Sequence, residues 1–298
     1  MELSADLKFA PLANNETYAY REAGKSHKIL IFIHGNQSSS FYFETIFPYF
    51  SKEYRIIAPD LREYGLSTCY KPPNSLDDLV EDLKLFVEKL GIEQFALLGW
   101  SLGGGIAMKF AAKYPSYVTK LILLHSIGVQ GLPKYLVNEK GENTQIRAKN
   151  FEEILLIPSV EEVDLALKEK DRNVIEARVL KVFFGGRFQP DKELLDALVT
   201  ESLHQKSFFL SSHMLNTFNI SDENNGVSEG TGEIHKIQCP TLIICGKKDT
   251  SCPVEEGEKI AKYLGEKAQI KIFEDCGHCA IFDYPEEFTN LVKEFLKN

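Results

Sequence analysis

A serine, an aspartate and a histidine each follow closely on a short strand-like run: Ser101 after residues 95–98, Asp249 after 241–245 and His278 after 269–273. A serine hydroxyl is a poor nucleophile at neutral pH. It needs an imidazole to take its proton and a carboxylate to fix the imidazole tautomer and stabilise the resulting cation. The three residue types, in the chain order Ser…Asp…His, therefore suit acyl transfer through a serine. Ser101 lies in Gly99-Trp100-Ser101-Leu102-Gly103, between an apolar run and a helical pattern over 104–114 that Pro115 stops. A strand, a one-residue corner and a helix force the corner residue to positive φ and require glycine two positions to either side. The hydroxyl then stands above the sheet, with a helix N-terminus aimed at whatever it attacks. A glycine-rich turn with an incidental serine shows the same local pattern, and the other two strand ends decide against it.

The elements that must position these residues follow in order. Residues 7–12 and 17–21 read as two strands around Asn14-Asn15, an antiparallel start. Residues 28–33 and 54–60 are strands, the first of them a continuous apolar run of the kind found in a parallel sheet covered on both faces. A helix is expected over 41–50, interrupted or ended near Pro48. Residues 75–90 give the clearest helix, with Leu76, Leu79, Val80, Leu83, Phe86, Val87 and Leu90 as its stripe. Ser75 with Asp78 reads as its capping box and Gly91 as its terminating glycine. A strand over 120–125 follows. From about 131 to 232 buried-strand runs vanish and helical stretches take over (151–156, 159–170, 174–184, 192–203), so this segment reads as an all-helical insertion. Strand–helix alternation resumes with 241–245, a helix from Pro253, 269–273 and a last helix from Pro285.

The chain has 298 residues, 44% hydrophobic and 26% charged, with a net charge of −9. That balance suits one large globular unit with a good core, and it argues against nucleic acid or an anionic membrane as partner. No apolar run approaches the roughly 20 residues of a membrane span. Residues 1–6 carry acid and no apolar run, so no signal peptide is expected, and six scattered cysteines then imply reduced thiols in a cytoplasm. Cys276-Gly277-His278-Cys279 matches a thiol–disulfide motif locally. Such motifs need a helix opening at the first cysteine, whereas here the next helix is expected only at Pro285; packing around the histidine loop is the plainer reading. Zinc is disfavoured too, because Cys239, Cys245 and Cys252 form no second pair at ligand spacing.

With these strand ends the chain resembles an α/β-hydrolase over nearly its whole length. The resemblance implies an α/β fold with a doubly wound, mostly parallel sheet as the core (1–130 and 233–298). A helical cap (131–232) is then inserted between the sixth and seventh sheet strands. It also implies Ser101 as nucleophile, Asp249 as the acid, His278 as the general base and the backbone N–H groups of Asn36 and Leu102 as oxyanion donors, with no cofactor or metal. His34, in the oxyanion loop, is read first as shaping that loop. Asp60 and Arg62 resemble the family's structural Asp-x-Arg turn. Ala280 stands where many relatives have proline and is expected to leave the triad untouched. Of the other histidines His125, at a strand end, is the one worth testing.

Trp100, the serine-rich loop after Asn36, and residues 217–221, 225–226 and 229–232 are similar to intracellular poly(3-hydroxybutyrate) depolymerases of Bacillus type. The expectation is therefore a cytoplasmic serine esterase acting on a 3-hydroxyalkanoate polyester or its oligomers, with Trp100 and His34 at the substrate. A general carboxylesterase for small apolar esters is the alternative among enzymes. A catalytically silent ligand receptor on the same fold is the alternative of another class.

Overall fold

The computed structural model describes residues 4–297; Met1, Glu2 and Leu3, which open the acidic stretch noted above, and Asn298 lie outside the described residues. The strands are β1 (Asp6–Pro11), β2 (Thr17–Ala23), β3 (Ile29–Ile33), β4 (Arg55–Pro59), β5 (Phe95–Trp100), β6 (Val118–Leu124), β7 (Tyr135–Val137), β8 (Asn143–Arg147), β9 (Thr241–Gly246) and β10 (Ala268–Phe273). The helices are α1 (Phe47–Phe50), α2 (Leu76–Lys89), α3 (Leu102–Lys113), α4 (Phe151–Leu155), α5 (Pro158–Glu169), α6 (Arg172–Phe183), α7 (Lys192–Ser202), α8 (Phe208–Thr217), α9 (Val254–Leu264), α10 (Ala280–Asp283) and α11 (Pro285–Lys297).

Eight strands form one sheet in the order β1-β2-β4-β3-β5-β6-β9-β10. β1 pairs antiparallel with β2 and β2 with β4, while the remaining neighbours run parallel. The apolar runs are continuous because both faces are covered, and successive side chains serve opposite cores. Leu30, Phe32, Leu98 and Trp100 belong to one core cluster; Ile31, Ile33, Leu97 and Leu102 belong to the other. After β4 the chain crosses back over β3 to lay β5 on its far side, so strand order reverses at β3 and β5. Ligands in open α/β sheets sit at the carboxyl ends of such a switch point. Register brings the functional strand ends into a row, pairing Ile33 with Gly99, Trp100 with Leu124, Leu124 with Ile244 and Gly246 with Phe273.

The segment between β6 and β9 differs from the all-helical expectation. It opens with an antiparallel hairpin, β7 paired with β8, before helices α4 to α8. The turn is closed by Asn138, whose Oδ1 accepts from the Lys140 and Glu142 N–H groups, and by Gly141 at φ 78°. Both strands are short and half-exposed, so they carry no buried apolar run to read. The helix expected over 41–50 is split into a 3-10 turn at Ser40–Phe43 and α1, with Pro48 in the first turn of α1, where a missing N–H costs nothing. The capping box of α2 is also rearranged. The Ser75 side chain makes no capping bond, and Asp78 Oδ2 accepts from the Asn74 N–H at 2.7 Å. The core cluster that holds Phe32 and Trp100 continues into the insertion through Ile154, Ile175, Val179, Phe183 and Leu198, so one apolar body spans both.

Candidate active site

Ser101 directly follows β5 with φ 56° and ψ −117°, a strained corner for a residue with a side chain. The flanking glycines are required sterically. A Cβ at Gly99 would lie 2.2 Å from the Gly103 carbonyl oxygen, and one at Gly103 would lie 2.3 Å from the Ile33 carbonyl oxygen. The corner is fastened by its own backbone: the Ser101 N–H donates to Leu124 O at 3.0 Å, and its carbonyl accepts from Gly104 and Ile127. Among the described residues neither the Leu102 nor the Asn36 N–H donates to a protein acceptor. Asn36 is held through its side chain, whose Oδ1 accepts from the Tyr64 hydroxyl at 2.9 Å.

His34 fixes that loop. Its Nε2 accepts from the Leu61 N–H at 3.0 Å, so the ring proton sits on Nδ1, which donates to Gly35 O at 2.8 Å. Burial lowers its pKa, and both nitrogens are used by backbone, so His34 shapes the loop and offers substrate nothing. Asp60 behaves similarly, accepting from the Ser40 and Leu66 N–H groups. Arg62 pairs with Asp82 at 2.8 Å. Trp100, expected at the substrate, is fully buried. It packs against Tyr42, Phe43 and Phe183 and donates its indole N–H to His278 O at 2.9 Å. It supports the His278 loop from behind.

Asp249 and His278 meet as the strand ends require, with His278 Nδ1 donating to Asp249 Oδ2 at 2.7 Å. The other carboxylate oxygen accepts from the Ser251 and Cys252 N–H groups at 2.8 and 2.9 Å. Burial alone would raise the Asp249 pKa, but attraction from His278 and His125 holds it well below the usual carboxylate range. The His278 loop is anchored by Asp283, which accepts from the Gly277 N–H and, through its other oxygen, from the Phe188 N–H of the insertion. Among the described residues no hydrogen bond joins Ser101 Oγ to His278; the hydroxyl lies in reach of the Cys252 thiol, whose pKa burial pushes far up. Catalytic hydrogen bonds of this kind are commonly long before substrate binds.

A fourth side chain joins this cluster. His125, directly after β6 and at φ 43°, is buried with Nδ1 3.2 Å from Asp249 Oδ2, close but off the straight line of a hydrogen bond. Its Nε2 accepts from the Ala280 N–H at 3.1 Å, which leaves the ring proton on Nδ1, facing the carboxylate. Proline has no N–H to give. The alanine that seemed inconsequential therefore sets the His125 tautomer, a link invisible without the fold. The donor atoms of His125, Asp249 and His278 lie within 4.8 Å of one another. Both Nδ1 atoms already face the carboxylate, so the set is a proton-holding cluster rather than a vacant metal cage.

Cys276 and Cys279 are free, buried thiols, and burial pushes both pKa values up. A helix does open at Ala280, earlier than Pro285, but after the second cysteine. Neither thiol has the exposure or the depressed pKa that redox chemistry needs.

The chain belongs to the alpha/beta hydrolase fold family, whose model matches residues 28–285. It is 26% identical to human monoacylglycerol lipase ABHD6 over 286 residues, covering 94% of this chain and 78% of the relative. It is 25% identical to the 2-hydroxy-6-oxo-6-phenylhexa-2,4-dienoate hydrolase of Comamonas testosteroni, covering 93% and 90%. Among solved structures, an esterase from Exiguobacterium antarcticum superposes with a TM-score of 0.76 at 22% identity, covering 98% of this chain and 99% of that one. Among the described residues no helix is long and apolar enough to cross a membrane.

Proposed function

We propose that the chain is a serine hydrolase of carboxylic esters working through an acyl-enzyme. The observation that carries this reading is the His278–Asp249 bond of 2.7 Å beside a serine held at a positive-φ corner. His278 Nε2 takes the Ser101 proton as Oγ attacks the ester carbonyl, and the tetrahedral oxyanion is received by the Asn36 and Leu102 N–H groups. Collapse expels the alcohol, which leaves with that proton. Water, deprotonated by the same imidazole, then releases the acid.

Acyl-ester hydrolysis is also supported by the named activity of the human lipase relative. The finer reading, a 3-hydroxyalkanoate polyester, rests on the sequence resemblance. The residues behind that resemblance spend their polar atoms on their own loop: Asn219 Nδ2 donates to Glu223 O and Ser228 O, and Asn225 Nδ2 donates to Gln130 O and Phe218 O. The cytoplasmic placement suggested by the sequence is kept with this reading. Incubation with 4-nitrophenyl butyrate and with amorphous poly(3-hydroxybutyrate) granules separates the levels. Ester turnover with 3-hydroxybutyrate release supports both. Ester turnover with intact granules removes the polyester, and no turnover of either leaves a silent receptor.

His125 acts here through Asp249. Replacing it with leucine removes the Nδ1–H that faces Asp249 Oδ2 at 3.2 Å, a buried electrostatic contact weaker than a made hydrogen bond and on the order of 1 kcal/mol. His125→Leu is therefore expected to lower kcat several-fold with KM little changed. His125→Asn, whose amide N–H can stand where Nδ1–H stood, should recover most of it. Equal losses in both variants would assign His125 to packing alone.

A further inference from the structure

The inserted segment gives several of its cations protein acceptors. Arg147 gives its guanidinium to Asn216, Asn225 and Gln130 acceptors, and Lys170 Nζ donates to Leu203 O. Two cations stand apart. Lys134 Nζ has neither an ion pair nor a hydrogen bond among the described residues, and it faces the Phe208 ring, 5.8 Å away. Arg178 uses Nε alone, donating to Gln37 Oε1, while its guanidinium carbon lies 4.7 Å from the same Phe208 ring. Both line one cavity of about 340 Å³ beneath the β7–β8 hairpin, together with Tyr135, Asn143, Ser159 and Phe208. Burial, then their mutual repulsion, pulls Lys134 down to about 8, and burial pulls Arg178 down to about 10. Glu162 attracts Arg178 from a distance but forms no ion pair with it among the described residues.

Both side chains are half-buried at the cavity wall, and two like charges this close without a counter-ion repel one another. Behind the guanidinium stands Gln37, whose side chain is 4% exposed and whose Nε2 has no partner among the described residues. Gln37 follows Asn36 directly, so the guanidinium is one glutamine side chain away from the oxyanion loop.

The geometry points to an anion subsite in this cavity, where Lys134 and Arg178 receive a carboxylate or phosphate group of the substrate while its ester carbonyl lies at Ser101. This rests on the ester-hydrolase reading for the position of the scissile bond. An arginine fork with two free nitrogens suits a bidentate anionic oxygen group, with the lysine as a second point charge. The substrate class is then a half-ester or an acyl ester with a remote anionic end.

The test compares kcat/KM for mono-4-nitrophenyl glutarate and its neutral methyl ester, and for a lysophosphatidate and the matching monoacylglycerol. The wild type should prefer the anionic member of at least one pair tenfold or more. Preference in the first pair identifies a carboxylate, in the second a phosphate. Lys134→Gln and Arg178→Gln should each reduce that ratio about tenfold. Calorimetric titration of free glutarate and inorganic phosphate into the Ser101→Ala protein and its Lys134→Gln derivative reads the subsite without turnover, with binding weakened about tenfold by the second change. Neutral-ester turnover with no anionic preference and no glutarate or phosphate binding overturns the subsite and leaves the hydrolase reading standing. Absence of all ester turnover with anion binding intact overturns the hydrolase reading instead.

Discussion

Ser101→Ala is expected to lower kcat for a short-chain ester by about 10⁵–10⁶, with substrate binding nearly unchanged. The methyl side chain keeps the corner but removes the atom that would bond to the acyl group. Residual turnover would come from water attacking a carbonyl already polarised by the Asn36 and Leu102 amides. The fold should survive, because Ser101 is fastened through its backbone to Leu124, Gly104 and Ile127 rather than through Oγ. Removing a hydroxyl beside Cys252 leaves a thiol in an apolar setting, which thiols tolerate. Parallel unfolding curves of wild type and variant, with kinetics on both, check the two halves of this expectation. A variant that keeps a tenth of wild-type kcat would remove Ser101 from the chemistry.

Asp249→Asn is expected to cost about 10⁴ in kcat for a different reason, an imposed tautomer. In the protein Oδ1 is committed to the Ser251 and Cys252 N–H groups, and Oδ2 receives His278 Nδ1. An asparagine must keep its carbonyl oxygen toward the two backbone donors, so its NH2 group turns toward the imidazole. His278 Nδ1 then becomes an acceptor, its proton moves to Nε2, and the ring can no longer take the Ser101 proton. The same NH2 group would also meet the His125 Nδ1–H, so two donors would face one another in a buried space. A stability loss accompanies the kinetic one. Since the carboxyl is depressed in the folded state, its contribution is fully present above its unfolded value of about 4 and is lost as pH falls through the lower folded value. The difference in stability between wild type and Asp249→Asn should therefore shrink on acidification. A difference that grows toward acid pH would contradict the ionised carboxylate.

Much of this geometry could be read from the chain because a parallel sheet converts strand ends into spatial neighbours. The runs before Ser101 and Asp249 are apolar and nearly continuous, and the one before His278 alternates through Ile270, Ile272 and Phe273, so their ends are recognisable and register brings the three residues together. Gly99 and Gly103 announced the corner for the same reason, since only glycine tolerates those contacts. What escaped reading depends on contacts between distant segments. Trp100 looked like a substrate contact because it adjoins Ser101, yet strand alternation turns it into the core, 2.9 Å from His278 O. Ala280 carries no signal in itself, and its N–H matters only because β6 delivers His125 beside it. The β7–β8 hairpin escaped because its strands are short and half-exposed. Lys134 and Arg178 are 44 positions apart and look like ordinary surface charges until the fold brings them to one cavity.

The most direct measurement is rapid quenching of the protein during its first turnover of 4-nitrophenyl butyrate, followed by mass spectrometry of the peptide that carries Ser101. A burst of about one equivalent of 4-nitrophenol, with a butyryl group on Ser101, is the expected result. Steady turnover with Ser101 unmodified, or with the acyl group on the neighbouring Cys252, would contradict a serine nucleophile at this corner.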